Sequence, residues 1–158
     1  MRRLRARIAF LVLPGVVAGL IPAVITARTK SRADALLPAI AMLAAGSGLL
    51  RWGIRDFFVI GRGTLAPWDP PRRLVVAGAY RFVRNPIHLA VLAIAAGWSL
   101  LFVSGGLALY TGFLAAAFHL RVTGTEEPRL RGQFGAAWDA NAAATPRWLP
   151  RLGRRKGS

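Results

Sequence analysis

The 158-residue chain contains no cysteine, which excludes disulfides, thiolate metal sites and cysteine nucleophiles. Histidine is almost absent as well: His88 and His119 are too few for a dedicated metal cage, so no metal is expected. Acids are scarce, six Asp and Glu against 22 Lys and Arg, which leaves a formal net charge of +16 and a pI near 12.0. Such basicity invites a nucleic-acid reading. The arginines, however, are segregated from long apolar runs instead of sharing a soluble core with aromatic platforms, so no nucleic-acid partner is expected. No internal repeat or low-complexity tract divides the chain, and residues 1–158 read as a single domain.

What is abundant is apolar sequence, 54% of all residues. Ile8 to Thr26 holds no charge in 19 positions, enough to cross about 30 Å of hydrocarbon at about 1.5 Å per residue. The Arg-rich preface at Arg2, Arg3, Arg5 and Arg7 resembles a signal-peptide start, but the run is too long and has no clean small-x-small cleavage site, so an uncleaved helix is expected. Further spans are expected at about 36–60, 87–103 and 105–122. Only Ser104 separates the last two, which forces an antiparallel hairpin. The fold class is therefore an all-α integral membrane protein of about four transmembrane helices, with a cytoplasmic loop and a C-terminal amphipathic helix. Of the 22 basic residues, 19 fall on one side of this arrangement and three (Arg28, Lys30, Arg32) on the other, so both termini and the central loop are expected to be cytoplasmic, at the plasma membrane. Gly15 with Gly19 and Ala93 with Gly97 have the spacing of close helix contacts.

The polar chemistry gathers at the expected cytoplasmic mouth. In Gly78-Ala79-Tyr80-Arg81-Phe82-Val83-Arg84-Asn85-Pro86-Ile87-His88, Asn85 can cap a helix that starts at Pro86, so Arg84 and the free amides of the first turn form an anion-binding end. Glu126 and Glu127, after the hairpin, supply the opposite charge. A pocket with one cationic and one acidic end suits a zwitterionic cofactor carrying a sulfonium. His88, one turn into the third span, can contact cofactor or acceptor or take a proton; His119 can face the same pocket or bond a neighbouring helix. Tyr80 and Arg81 either close the pocket or sit as ordinary interfacial residues. Thr125 is expected to cap a new helix with the two acids in its first turn, and Leu130, Phe134 and Trp138 to form one apolar stripe along it. Gly61 and Gly63 are no dinucleotide fingerprint, since no βαβ context surrounds them.

These elements, in order, resemble the isoprenylcysteine carboxyl methyltransferase and phospholipid methyltransferase group of small integral-membrane enzymes. The match is carried by Gly78-Ala79-Tyr80 running into Arg84-Asn85-Pro86, by Glu126-Glu127-Pro128-Arg129-Leu130 with Phe134-Gly135 and Trp138, and by the close Pro146-Arg147-Trp148-Leu149-Pro150. It covers roughly residues 61–152. Ala79 stands where the group has proline, His88 where it usually has tyrosine, and Asn141 where it often has an aromatic. The resemblance implies S-adenosylmethionine as cofactor, bound by Tyr80, Arg81, Arg84, Asn85, Pro86, His88, Glu126 and Glu127, with His88, Glu127 and His119 as the catalytic candidates. It also implies a lipophilic small-molecule or lipid acceptor held in the bilayer. Two alternatives stay open: a nicotinamide-dependent membrane reductase related to sterol reductases, and a non-catalytic membrane protein keeping the scaffold.

Overall fold

The computed structural model describes residues 15–27, 35–61 and 71–150, and every regular element among them is helical. The basic amino-terminal arm, residues 8–14 of the first expected span, residues 28–34 between the first two spans and most of the loop after Gly61 lie outside the described residues, as does the tail beyond Pro150. The elements are α1 (Val16–Thr26), α2 (Leu36–Gly61), a 3-10 turn (Gly78–Arg81), α3 (Pro86–Phe102), α4 (Gly105–Arg121), α5 (Glu127–Phe134) and α6 (Ala136–Ala144). Among the described residues, α2 is the one helix both long and apolar enough to cross a bilayer; α1 and α3 are apolar but shorter. The 26 residues of α2 extend about 39 Å, and only 17% of its most apolar stretch is buried, whereas the core helix of a soluble domain is mostly buried.

α2 and α3 pack closely because small residues line their contact. Gly46 lies against Ile94 and Ala90, Gly53 against Ile87 and Pro86, and Gly97 against Leu43, which makes the pair antiparallel. Ala39, Gly46 and Gly53, each seven residues from the next, are all buried on the same side of α2. The expected contact role holds for Gly97 but not for Gly15 and Gly19, which face open space. The hairpin between α3 and α4 is as tight as the lone Ser104 requires. Val103 takes a left-handed conformation (φ 46°), Ser104 N–H donates to Ser99 O at 3.2 Å, and the Ser104 hydroxyl caps α4 by accepting Leu107 N–H at 3.3 Å. A β-branched residue in that region costs about 1–2 kcal/mol, accepted here because the connection has no residue to spare.

Two π-helical turns break the ladder, at Val16–Leu20 and at Val122–Glu126. Each is followed by a proline, Pro22 or Pro128, in the first turn of the next α-segment. In the first, Ile21 N–H reaches back to Val16 O, and Pro22 has no N–H to give, so Val17 O is released from the ladder. The Tyr110 hydroxyl of α4 donates to that oxygen at 2.9 Å, which ties α1 to the hairpin. The second turn carries α4 directly into α5. Thr125 therefore lies inside a continuous helix and caps nothing, contrary to the expected fresh start. The expected apolar stripe is also interrupted: Gly135 (φ 51°) breaks the helix between Phe134 and Trp138, and Trp138 alone is buried.

Candidate functional site

The Gly78–Arg81 turn is fixed from below by α2. Asp56, on the last turns of that helix, is buried at 6% exposure, and its carboxylate accepts the Ala79 N–H at 2.9 Å. Gly78 sits at φ +61° directly over this carboxylate, and a Cβ there would collide with it. Glycine is thus required twice, by conformation and by space. Tyr80 leans on Phe57 with ring centroids 6.4 Å apart. Burial raises the pKa of its phenol, and the nearby charges of Asp56 and Glu126 add to the rise, so the hydroxyl is a proton-bearing donor at neutral pH. Arg81 points away: it is exposed, its guanidinium 4.6 Å from the centroid of Phe82. The structure does not bring it into the cluster.

Pro86 occupies the first turn of α3, as the sequence implies, and Asn85 stands at the cap position, but its side chain makes no cap. A strap from the far end of the chain draws it off. Asn85 Nδ2 donates to Arg147 O at 3.3 Å and Arg84 N–H to Pro146 O at 2.9 Å. Among the described residues, the amides at the start of α3 therefore receive no cap from the Asn85 side chain.

Arg84 and Glu127, expected at opposite ends of a pocket, face each other. Arg84 Nη2 lies 3.3 Å from Glu127 Oε1, and Arg147 binds the same carboxylate through both oxygens, Nε to Oε1 and Nη2 to Oε2 at 2.8 Å each. The Arg84 side chain is 10% exposed and Glu127 15%, with Trp138 lying 5.4 Å from the Arg84 guanidinium carbon. Burial lowers the pKa of Arg84, partly offset by Glu127, while the hydrogen bond to Glu127 raises that of Arg147. Both remain charged. Among the described residues the cluster thus has two cations and one anion, and Arg84 Nε is buried without a hydrogen-bond partner.

Beside it lies an aromatic group. Glu126 is paired with Arg121 Nε at 2.7 Å and stands 3.9 Å from His88 Nε2. His88 meets Phe118 edge to face at 4.5 Å and Trp148 at 6.3 Å. The indole N–H of Trp148 donates to His119 Nδ1 at 3.2 Å, so His119, itself exposed, is linked to His88 through that ring. Tyr80, Arg84, Asn85, Pro86, His88, Glu126 and Glu127 are therefore gathered within one region, with His119 at its edge. Sequence reasoning passed over Asp56, Trp138, Arg147 and Trp148 as site residues. Asp56 had a legible signal, the one acid of a mostly apolar helix in a chain that has six acids. Arg147 and Trp148 had only the proline-flanked close in which they stand.

A family model described as phospholipid methyltransferase matches residues 37–137, well over half the chain. No curated protein and no solved structure matches it.

Proposed function

The chain belongs to the phospholipid methyltransferase family, and on that premise we propose that it is an S-adenosylmethionine-dependent methyltransferase of the membrane, acting on a lipophilic or membrane-partitioned acceptor. The observation that carries this reading is that, among the described residues, Arg84 Nε is an orphan in a cluster with one cation in excess. A buried charged donor without an acceptor is costly, and the carboxylate of an amino-acid cofactor is the kind of group that would satisfy it. The uncapped amides of the first turn of α3 favour the same charge. Glu126, its side chain 30% exposed, is the acid placed to hold an ammonium or ribose hydroxyls. Tyr80 adds a proton-bearing donor near it. The cofactor, when bound, supplies a methyl group already activated on a sulfonium.

The residues present then have little covalent chemistry to do. Their work is to align the acceptor and keep water out, which falls to His88, Phe118 and Trp148. For an acceptor that must lose a proton, His88 is the base, and the Glu126 carboxylate at 3.9 Å stabilises the imidazolium that forms. In this reading α1, α3 and α4 complete a four-span bundle around α2, with both termini and the site at the cytoplasmic side of the plasma membrane, which reporter fusions at the carboxyl end would test. The acceptor reaches the site sideways from the bilayer. Exposed Leu109, Phe113 and Leu120 on α4 and Leu37, Ile40 and Val59 on α2 suit a lipid surface.

Calorimetry of the detergent-purified protein with S-adenosylmethionine, its demethylated product and NADPH tests the reading. Heat with the first two and none with NADPH supports it. Binding of NADPH instead means a reductase, and no binding of any of the three means a scaffold without catalysis.

A further inference from the structure

The π turn at Val122–Glu126 sits immediately before the two residues that hold the site's charges. Its closing bond runs from Glu127 N–H to Val122 O, five residues back, where an α-helix would use Thr123 O. One residue more than an α-helix needs is thus accommodated before Glu127. The next residue is Pro128, which has no N–H and whose ring would press on the carbonyl of Gly124 if the ladder were regular.

The same device occurs a second time in the chain. At Val16–Leu20 the closing bond runs from Ile21 N–H to Val16 O, and the next residue is Pro22. Both turns have one offset, with the proline immediately after the residue whose N–H closes the π bond. Two occurrences in unrelated local sequences, Gly19-Leu20-Ile21-Pro22 and Thr125-Glu126-Glu127-Pro128, share the proline and little else. The proline is the common cause.

We infer that Pro128 is a positioning residue for the methyl-transfer site: by holding the π turn it sets the rotation of α5 that presents Glu127 to Arg84 and Arg147. Residues of an α-helix advance about 100° each, so removing the extra residue's worth of winding turns Glu127 by about that angle. The two 2.8 Å bonds from Arg147 and the 3.3 Å contact with Arg84 do not survive such a rotation. Glu126 keeps Arg121 and His88 for the same reason, because the turn lets two adjacent acids serve two neighbouring cation groups that lie on one side. Pro22 performs the corresponding task for α1, where Val17 O is freed for Tyr110.

The inference rests on the proposed methyltransferase reading for one of its readouts and is independent of it for the other. The variants are Pro128→Ala, Pro128→Ala combined with deletion of Gly124, and Pro22→Ala as a control away from the site. Gly124 is suited to deletion because it is exposed and has no neighbour within 4 Å of a Cβ position. With the proline gone, the segment winds as a regular α-helix and Glu127 is misaligned; deleting one residue returns it to the original azimuth. Affinity for S-adenosylmethionine is measured by calorimetry. The distance between nitroxides at Val76→Cys and Ala137→Cys, two exposed positions in a chain with no other cysteine, is measured by pulsed electron spin resonance.

The expected result is an affinity loss of at least about tenfold for Pro128→Ala, equivalent to about 1.4 kcal/mol, with a label displacement of about 5 Å, the radius of a helix with its side chains. Both return toward the parent values in the deletion variant, and Pro22→Ala keeps the parental affinity. Unchanged affinity and distance in Pro128→Ala overturn the inference, and so does a deletion variant as displaced as Pro128→Ala. If Pro128→Ala does not accumulate, the deletion variant decides: parental distance supports the register argument, and failure to accumulate refutes it. A parent that binds no S-adenosylmethionine refutes the proposed function, while the distance measurement still decides the role of Pro128.

Discussion

Replacing Glu127 by Gln isolates the charge at the centre of the site without changing its shape. Among the described residues, Glu127 is the anion shared by Arg84 and Arg147, so the variant leaves two guanidiniums facing a neutral amide. Breaking a buried ion pair by removing one partner costs about 3–5 kcal/mol. The Glu127 and Arg84 side chains are 15% and 10% exposed, but Arg147 is 33% exposed and can rehydrate, which places the expectation at the lower end, about 3 kcal/mol. For a chain of this size that is a fall in Tm of about 6–12 °C. Arg147→Ala is milder, about 1–2 kcal/mol, because Glu127 keeps Arg84 at 3.3 Å. In the double variant the loss is no greater than in Glu127→Gln alone, since removing Arg147 also removes the cation that the missing carboxylate left repelling Arg84. Thermal unfolding in detergent, followed by the fluorescence of tryptophans that include buried Trp138, reads all three. If Arg147→Ala destabilises more than Glu127→Gln, or the two losses simply add, Glu127 is not the hub of the cluster.

Gly78→Ala should abolish cofactor binding while membrane insertion persists, because it combines a left-handed penalty of about 1–2 kcal/mol with eviction of the Asp56 carboxylate; parental affinity in calorimetry would refute the Asp56 support. In a Tyr110→Phe background Tyr80 is the single phenol of the chain, and its phenolate absorbance should not rise at pH 10, where a free tyrosine is half ionised. Because its folded pKa is raised, the linked stability is complete below about pH 10 and is lost as pH climbs above it. Methyl transfer in vesicles to acceptors of rising chain length should improve with length, by about 0.8 kcal/mol of partitioning per methylene. Equal turnover of short, water-soluble members at the same bulk concentration would refute lateral access from the bilayer.

The helices were legible because composition alone sets them. The second expected span, about 36–60, is α2 (Leu36–Gly61), and one intervening serine sufficed to specify the hairpin. Pro86 at the start of α3 followed from the missing N–H of proline. What was misread shares one cause, the assumption that local grammar decides. Asn85 has the right residue type and position for a cap, yet its amide goes to a carbonyl 62 residues away. Arg84 and Glu127 were legible as site residues and illegible as partners, since nothing in a linear reading says that a guanidinium from residue 147 will bring them together. The π turn was hidden too: Thr125 ahead of two acids reads as a helix start, and only the carbonyl chosen by Glu127 N–H shows that the helix never stopped. Helix-contact glycines were assigned from four-residue spacing, whereas the packed ones on α2 are seven apart.

The strap at Thr145–Trp148 also orders the protein's assembly in time. It touches Arg84 and Asn85 through backbone oxygens, Glu127 through Arg147 and His119 through Trp148, and it follows every helix among the described residues. During synthesis the α2–α3 pair and the hairpin can pack before any of these contacts exists. The site is the last thing to close, so on the proposed reading a nascent or carboxyl-truncated chain would be inserted in the membrane and still lack the contacts that complete its cofactor site.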